Sequence, residues 1–332
     1  MAVSAVPLPP ALAALIFTIR SVYYLASAAV LVGLIVPFLR STIIPYGKTL
    51  QAAGNRSGSV SRRAQLCRDL LSVRKSLFWH FYAFGLPWSV FLLWMSLRSA
   101  PLSSGWVSAA DKMVVAWTGS CFTTWHISEQ LPTEVILAHA LIVVQNARRL
   151  FECLRVLTAS PARMHIAHYV VGIVYYFVTP MAVGVHGWNH WWAQSIKDTA
   201  FHCGDLRVRH ALALTLFTWA SYEQYLAHAH LASLRSKADG SRTSTSTSAV
   251  PVYKLPQARW FRFVACPHYL FEFLIYVSFS VMTGFQNGTC LAVLVWIAIG
   301  LGVPADQQRS WYQRKFPELI PAGWKRVVPF FY

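Results

Sequence analysis

Charge is what this sequence has least of. Only 12% of its 332 residues are Asp, Glu, Lys or Arg, while 55% are hydrophobic; a soluble globular domain carries about 25% charged residues. Acids are the scarcer sign, 12 against 29 Lys and Arg, leaving a formal charge of +17. The six cysteines (Cys67, Cys121, Cys153, Cys203, Cys266 and Cys290) lie far apart. Without a CxxC pair they offer no zinc or redox dithiol motif. No HxxHH repeat accompanies the 12 histidines, which argues against a membrane di-iron enzyme, and no metal is expected. No basic segment precedes the first apolar stretch, Arg20 being the earliest cation. A cleaved signal peptide is therefore not expected, and residues 11–39 read as a retained first span.

What is present is apolar mass in blocks near bilayer-spanning length, about 20 residues. In a soluble protein the positive charge would point to nucleic acid. Here the basic residues flank apolar blocks, so membrane topology accounts for them and no nucleic-acid partner is expected. The pattern predicts an all-α, polytopic integral membrane helix bundle of about seven transmembrane helices. The spans fall at 11–39, 78–97, 131–147, 165–186, 211–230, 267–284 and 289–303, with residues 113–130 ambiguous. Seven spans place segments 40–77, 148–164, 231–262 and 304–332 on one side, and these hold 23 of the 29 Lys and Arg. Basic loops stay in the cytosol, so the C-terminus is expected there and the N-terminus opposite. A Ser/Thr-rich stretch, 236–250, reads as a flexible linker.

Ionisable groups within or at the ends of spans are costly and mark candidate sites. His268, Glu272 and Tyr276 recur at i, i+4 and i+8 and share one helix face. Glu272 needs a partner there; a structural salt bridge to a neighbouring arginine is the plain alternative. In Gln145–Asn146–Ala147–Arg148–Arg149–Leu150–Phe151–Glu152 the arginines suit bidentate phosphate binding, or serve topology with an intrahelical Arg148–Glu152 pair. Gln224 and His228 lie one turn apart, with Arg235 beyond; the alternative is an interfacial polar and aromatic belt. His186 and His190 have metal-ligand spacing but fall on the outer side. Gly300, Gly302 and Ala305 loosely match GxGxxA, yet no strand–turn–helix unit surrounds them, and small residues in a span allow close helix packing.

These clusters resemble the steroid 5α-reductase family, most closely its polyprenol/polyprenal reductase branch. The matching pieces are QNARRLFECL at 145–154, RMHIAHYVVGIVYY at 163–176, the stretch from Gln224 to Arg235, CPHYLFEFLIYVSFSVMTG at 266–284 and WYQRKFPE…WKRVVPFFY at 311–332. The resemblance divides the chain into N-terminal spans, 1–144, with the basic loop 40–77, and a catalytic membrane region, 145–332. It implies an endoplasmic-reticulum enzyme that reduces a carbon–carbon double bond with NADPH. Matching cofactor positions would be Gln224, His228, Arg235, His268, Glu272 and Tyr312. The family often has Asn where His268 and Gln224 stand, and Asp where His228 stands. Its Gln-Glu-Leu-Pro motif has only a displaced echo in Ser128–Glu129–Gln130–Leu131–Pro132, and the tyrosine partnering that acid in steroid enzymes is Asn146 here. Both departures argue against a steroid as main substrate.

The expectation is therefore NADPH-dependent reduction of polyprenal to dolichal, the net conversion of polyprenol to dolichol that supports protein N-glycosylation. Hydride adds to an alkene when the developing charge is delocalised; an α,β-unsaturated aldehyde does this as an enolate and an allylic alcohol does not. A donor must stabilise the enolate oxygen: Tyr312, His268 and Tyr276 are candidates. Cofactor contacts are expected from Gln224, His228, Arg235, Glu272 and Arg149, with Arg235 and Arg149 toward phosphate. The rivals are 3-oxo-5α-steroid 4-dehydrogenase activity, a membrane methyltransferase of the isoprenylcysteine type, and a non-enzymatic lipid transporter.

Overall fold

Prolines and one asparagine set where several helices begin. The computed structural model describes residues 6–36, 71–97, 104–118, 126–127, 132–157, 163–188, 203–240, 254–321 and 323–332, with backbone alone at 6–7, 104–107, 126–127 and 235–240. Eight α-helices lie among them: α1 (Pro10–Ile35), α2 (Trp79–Leu97), α3 (Ser104–Thr118), α4 (Pro132–Phe151), α5 (Ile166–Gly184), α6 (Val208–Gly240), α7 (Pro267–Met282) and α8 (Gly288–Lys315). Pro opens the first turn of α1 and α7, where its missing N–H is an orphan anyway. Asn287 caps α8, its side chain accepting from the Thr289 and Cys290 amides at 2.9 and 3.0 Å. Two short antiparallel pairs tie the loops: Val6–Pro7 (β1) with His126–Ile127 (β3), and Ser72–Arg74 (β2) with Arg163–His165 (β4).

The protein is an all-α, polytopic membrane bundle. Among the described residues, four segments are long and apolar enough to cross a bilayer: α1, Lys75–Leu97 containing α2, Ile166–Gly187 containing α5, and α8. Three other expected spans correspond to α4, α6 and α7. α4 and α6 bury charged and amide side chains, Glu134, Gln145, Arg149, Glu223, Gln224 and His228 among them. Such residues lower hydropathy while facing the bundle interior. α7 is 16 residues long. α3 reaches into the stretch left ambiguous from sequence, 113–130, and is tied to α1 by the Ala11 amide donating to Asp111 Oδ1 at 2.9 Å. Likewise α6 runs on to Gly240, through the first residues of the expected linker; the rest of that stretch lies outside the described residues.

α6 packs most extensively on α7, α2 on α4, and α1 on α8. The main core joins Leu12, Ile16, Ile142, Phe271, Ile275, Phe279 and Met282. Close approach needs glycine at two places: a Cβ on Gly172 would stand 2.6 Å from Phe81 Cζ, and one on Gly184 2.5 Å from His139 Cε1. Outward, the large side chains are apolar as well. Phe17, Leu25 and Ile35 of α1, Phe91 and Trp94 of α2 and Val170 of α5 are all exposed, a surface that suits lipid. On that surface Trp88 stacks on Phe177 at 4.8 Å and Phe91 at 5.5 Å. The Trp88 indole N–H donates to the Phe177 carbonyl at 2.8 Å, sparing an unsatisfied donor in hydrocarbon.

Candidate active site

At the end of α4 the helix loosens into a π turn, Glu152–Val156. Gln145, Arg148, Arg149 and Glu152 are three, four and seven positions apart, so they present one face. That face meets α6 and α7. Arg148 donates to Glu152 Oε1, to Gln145 Oε1 at 2.8 Å and to Gln224 Oε1 on α6. Gln224 Nε2 donates to Glu272 Oε2 on α7 and to the His268 carbonyl at 3.2 Å. Arg149 donates from Nη1 to Glu152 Oε2 and from Nε to the Tyr82 hydroxyl on α2 at 3.1 Å, its guanidinium lying 5.2 Å from the Tyr82 ring centroid. His228 Nδ1 stands 2.8 Å from Arg149 Nη1 and 2.7 Å from Glu152 Oε2, so its tautomer decides whether it accepts from the arginine or donates to the carboxylate.

The network is dry. Glu152 is fully buried, and Gln145, Arg149, Gln224 and His228 are buried with it. Glu152 lies past the apolar part of α4. Burial there favours the neutral acid, but the His228 hydrogen bond and the charges of Arg149 and Arg148 outweigh it, holding its pKa down to about 2. Below Arg149 the phenols gather. The Tyr82 ring sits edge-to-face on Tyr176 at 4.7 Å, Tyr176 on Tyr175 at 5.1 Å, and Tyr175 on Tyr276 at 6.3 Å. Four helices thus supply guanidinium, carboxylate, amide and imidazole groups to one spot, with a tyrosine floor; such a set can hold a polar, partly anionic ligand and present a donor to it.

The profile of the 3-oxo-5-alpha-steroid 4-dehydrogenase family matches residues 162–332. The chain belongs to that family. Among curated relatives it is similar to polyprenal reductase of Xenopus tropicalis, 32% identical over 294 residues covering 87% of each chain. Polyprenal reductase of Xenopus laevis is 30% identical over 295 residues, 86% of this chain and 83% of that protein. The Homo sapiens protein of the same name is 28% identical over 331 residues, 95% and 96% of the two chains. The likeness thus extends well beyond the C-terminal part.

Of the residues singled out from sequence, Gln224, His228, Glu272 and Arg149 come together. His268 joins through its backbone carbonyl, with its ring 5.6 Å from that of His228. Tyr276 lies at the tyrosine floor. Tyr312 is buried in a separate cluster with Cys266, Ala305 and Trp324, its ring 5.6 Å from the Trp324 ring. Arg235 lies on α6, with its side chain outside the described residues. Glu272 has the Gln224 amide as a partner, while the Arg148–Glu152 pair exists and also reaches across to α6. Asn146 is buried and donates to Ser89 Oγ at 2.7 Å.

The other motifs resolve differently. His186 is engaged by Arg20 Nη2 at 3.0 Å and Thr289 Oγ1 at 3.1 Å; His190, the loop 40–70 and Ser128–Leu131 lie outside the described residues. Gly302 lies within α8 and lets the chain's last residue approach, Tyr332 donating to its carbonyl at 3.3 Å. Tyr82 and the cross-helix role of Glu152 were not singled out from sequence. Tyr82 sits in a span with no local motif, and its one signal is a hydroxyl in a mostly apolar stretch.

Proposed function

We propose that this protein is an NADPH-dependent reductase of the endoplasmic-reticulum membrane that saturates the α-isoprene double bond of polyprenal, the step that yields dolichal and, net, dolichol for N-glycosylation. The observation that carries this is the likeness to proteins named polyprenal reductase over as much as 95% of the chain, in a family of double-bond oxidoreductases. The cluster's chemistry supports it. Arg148 Nε is buried without a hydrogen-bond partner, an orphan charged donor that an anionic ligand would satisfy. The amide and carboxylate of Gln224 and Glu272 suit a carboxamide or ribose. Gln224, His228, Arg235, Glu272 and Arg149 would hold the dinucleotide, which when bound supplies a hydride.

The chain's task is then to orient the enal and meet the charge that develops on its carbonyl oxygen. A site buried among membrane-spanning helices suits a lipid whose tail stays in the bilayer. The positive-inside pattern supports placing the basic loops and C-terminus in the cytosol, beside the nucleotide supply. Purified protein incubated with NADPH or NADH against polyprenal, polyprenol and a 3-oxo-4-ene steroid tests the assignment. The expected outcome is efficient reduction of polyprenal with NADPH, and weak or absent turnover of the alcohol and the steroid. Reduction of polyprenol at the same rate with no aldehyde formed would overturn the enal mechanism, and equal use of NADH would remove the phosphate role from the arginines.

A further inference from the structure

We infer that the 324–332 segment after α8 is a lipid-docking element: Phe330 and Phe331 insert among the headgroups of an acidic phospholipid leaflet, and their seating steadies the stretch that leads into α7. This goes beyond the substrate assignment and needs only the membrane bundle. The depth of the segment is set by α8. That helix has 28 residues, roughly 42 Å at 1.5 Å each, which exceeds the roughly 30 Å of hydrocarbon. Its first charged residue is Asp306, roughly 27 Å along the helix from Gly288, where α8 leaves the apolar layer. The chain then turns back to that level. Arg326 donates from Nε to Asp306 and lies 4.9 Å from the Tyr332 ring centroid, while the Tyr332 hydroxyl donates to the Gly302 carbonyl at 3.3 Å.

The amides of Arg326, Val327 and Val328 converge on the Tyr332 main-chain oxygen at 3.0, 2.8 and 2.8 Å and close the segment into a hook. At its tip Phe330 has a φ of 65°, a left-handed conformation that bulky residues seldom adopt. The hook turns both rings outward: Phe330 is 87% exposed and Phe331 89%. Aromatic side chains are favoured at the level of the headgroups, and that depth favours lipid over a protein partner approaching from water. Charge agrees. Arg314 and Lys315 are exposed at the end of α8, and residues 306–332 hold five Lys and Arg against Asp306 and Glu318. Acidic headgroups attract such basic residues. The hook is also joined to the stretch before α7. The Ala265 and Cys266 amides donate to the Lys325 and Arg326 carbonyls at 2.9 and 3.0 Å, and the Trp324 indole N–H donates to the Phe261 carbonyl at 2.7 Å. Pro267 follows and opens α7, whose first turns carry His268 and Glu272.

The test places a photoreactive benzoylphenylalanine at position 330 or 331 of the full-length protein, in vesicles of phosphatidylcholine with and without phosphatidylserine. The same group at position 91, on the exposed apolar face of α2, is the control. Lipid adducts at 330 and 331 that increase with phosphatidylserine are expected. Adducts to another polypeptide, or none at 330 and 331 while position 91 gives them, would overturn the docking. Adducts indifferent to phosphatidylserine would overturn the preference for acidic headgroups. Hydrogen exchange reads the coupling to α7. In F330S/F331S the Ala265 and Cys266 amides should exchange about tenfold faster in the mixed vesicles, a modest part of what burying two Phe side chains contributes. F330L/F331L, which keeps the apolar surface, should exchange like wild type. Unchanged exchange in the serine variant, equally fast exchange in the leucine variant, or faster exchange throughout the protein would each overturn the coupling.

Discussion

At one end of α4 and α6, Glu134 meets Arg209 and His210; at the other, roughly 27 Å along the helix axis, Glu152 meets Arg148, Arg149 and His228. Both carboxylates are buried; the first has two basic partners and the second three. The first cluster joins two helices, with Thr133 donating to Asp205 beside it at 3.1 Å. The second draws on α2, α4, α6 and α7 and mixes charges with amides and phenols. A pair that bridges two helices fixes their register. A network that draws on four helices presents several kinds of donor and acceptor at one place, which a ligand with phosphate, ribose and amide parts needs. Buried charge alone does not distinguish a site from a staple; chemical variety and convergence do.

Removing each carboxylate in turn puts the sharpest strain on that contrast. Glu152→Ala leaves the buried Arg149 and the part-buried Arg148 without their anion, and breaking a buried pair costs about 3–5 kcal/mol. The variant should lose most of its thermal stability margin and all turnover. Glu134→Gln keeps an oxygen for Arg209, which is part-exposed, so about 1–2 kcal/mol is expected, with activity per folded molecule unchanged. Unfolding scans with NADPH-dependent activity on the surviving fraction check both. Equal activity loss in the two variants would erase the distinction. The pH dependence follows from the sign of the shift. Glu152 has a folded pKa of about 2 against an ordinary 4.5, so its stabilisation is complete above about pH 4.5 and is lost as pH falls toward 2. Glu152→Ala should remove that part of the acid sensitivity.

A smaller effect is expected at Glu272, which is half-buried and reaches the network through Gln224. Glu272→Gln keeps the shape and removes the charge. If the carboxylate faces the cofactor, the KM for NADPH should rise about tenfold, equivalent to about 1.4 kcal/mol, while the unfolding midpoint without cofactor holds. A fall in midpoint with unchanged KM would place Glu272 among the staples with Glu134.

Much of this was legible in the sequence because membrane physics writes it plainly. Apolar blocks and the one-sided basic loops gave the polytopic all-α class, and the i, i+4 pairs Gln224/His228 and His268/Glu272 landed on facing helices. Hydropathy was weakest where the site is: α4 and α6 carry inward polar residues, so the segments richest in chemistry score least like spans. Tyr82 was invisible because its meaning lies in a contact 67 residues away with Arg149, and no local spacing records such a pairing. Tyr312 shows the converse. Its place in a C-terminal motif drew attention, but packing sets it against Trp324 in its own cluster.

The least disruptive test falls at the turn before α8. Asn287–Gly288–Thr289 is a glycosylation sequon, and the proposed positive-inside topology would put this turn in the lumen, where transfer occurs. The amide is nevertheless unavailable. Asn287 is 3% exposed, its oxygen accepts two backbone N–H groups, and its Nδ2 faces the Ala182 carbonyl at 3.5 Å. Glycosylation would need that nitrogen in solvent and would uncap α8. Asn287 should therefore carry no glycan, and Asn55, a sequon in the basic loop, should carry none if the proposed topology holds that loop in the cytosol. Asn287→Ala should cost about 1 kcal/mol, the usual loss of an N-cap, and Asn287→Asp should recover most of it. A gel shift reversed by endoglycosidase reports the glycans. Glycan on Asn287 would contradict the capped turn, whereas glycan on Asn55 would invert the topology and place the arginine cluster on the side away from cytosolic NADPH.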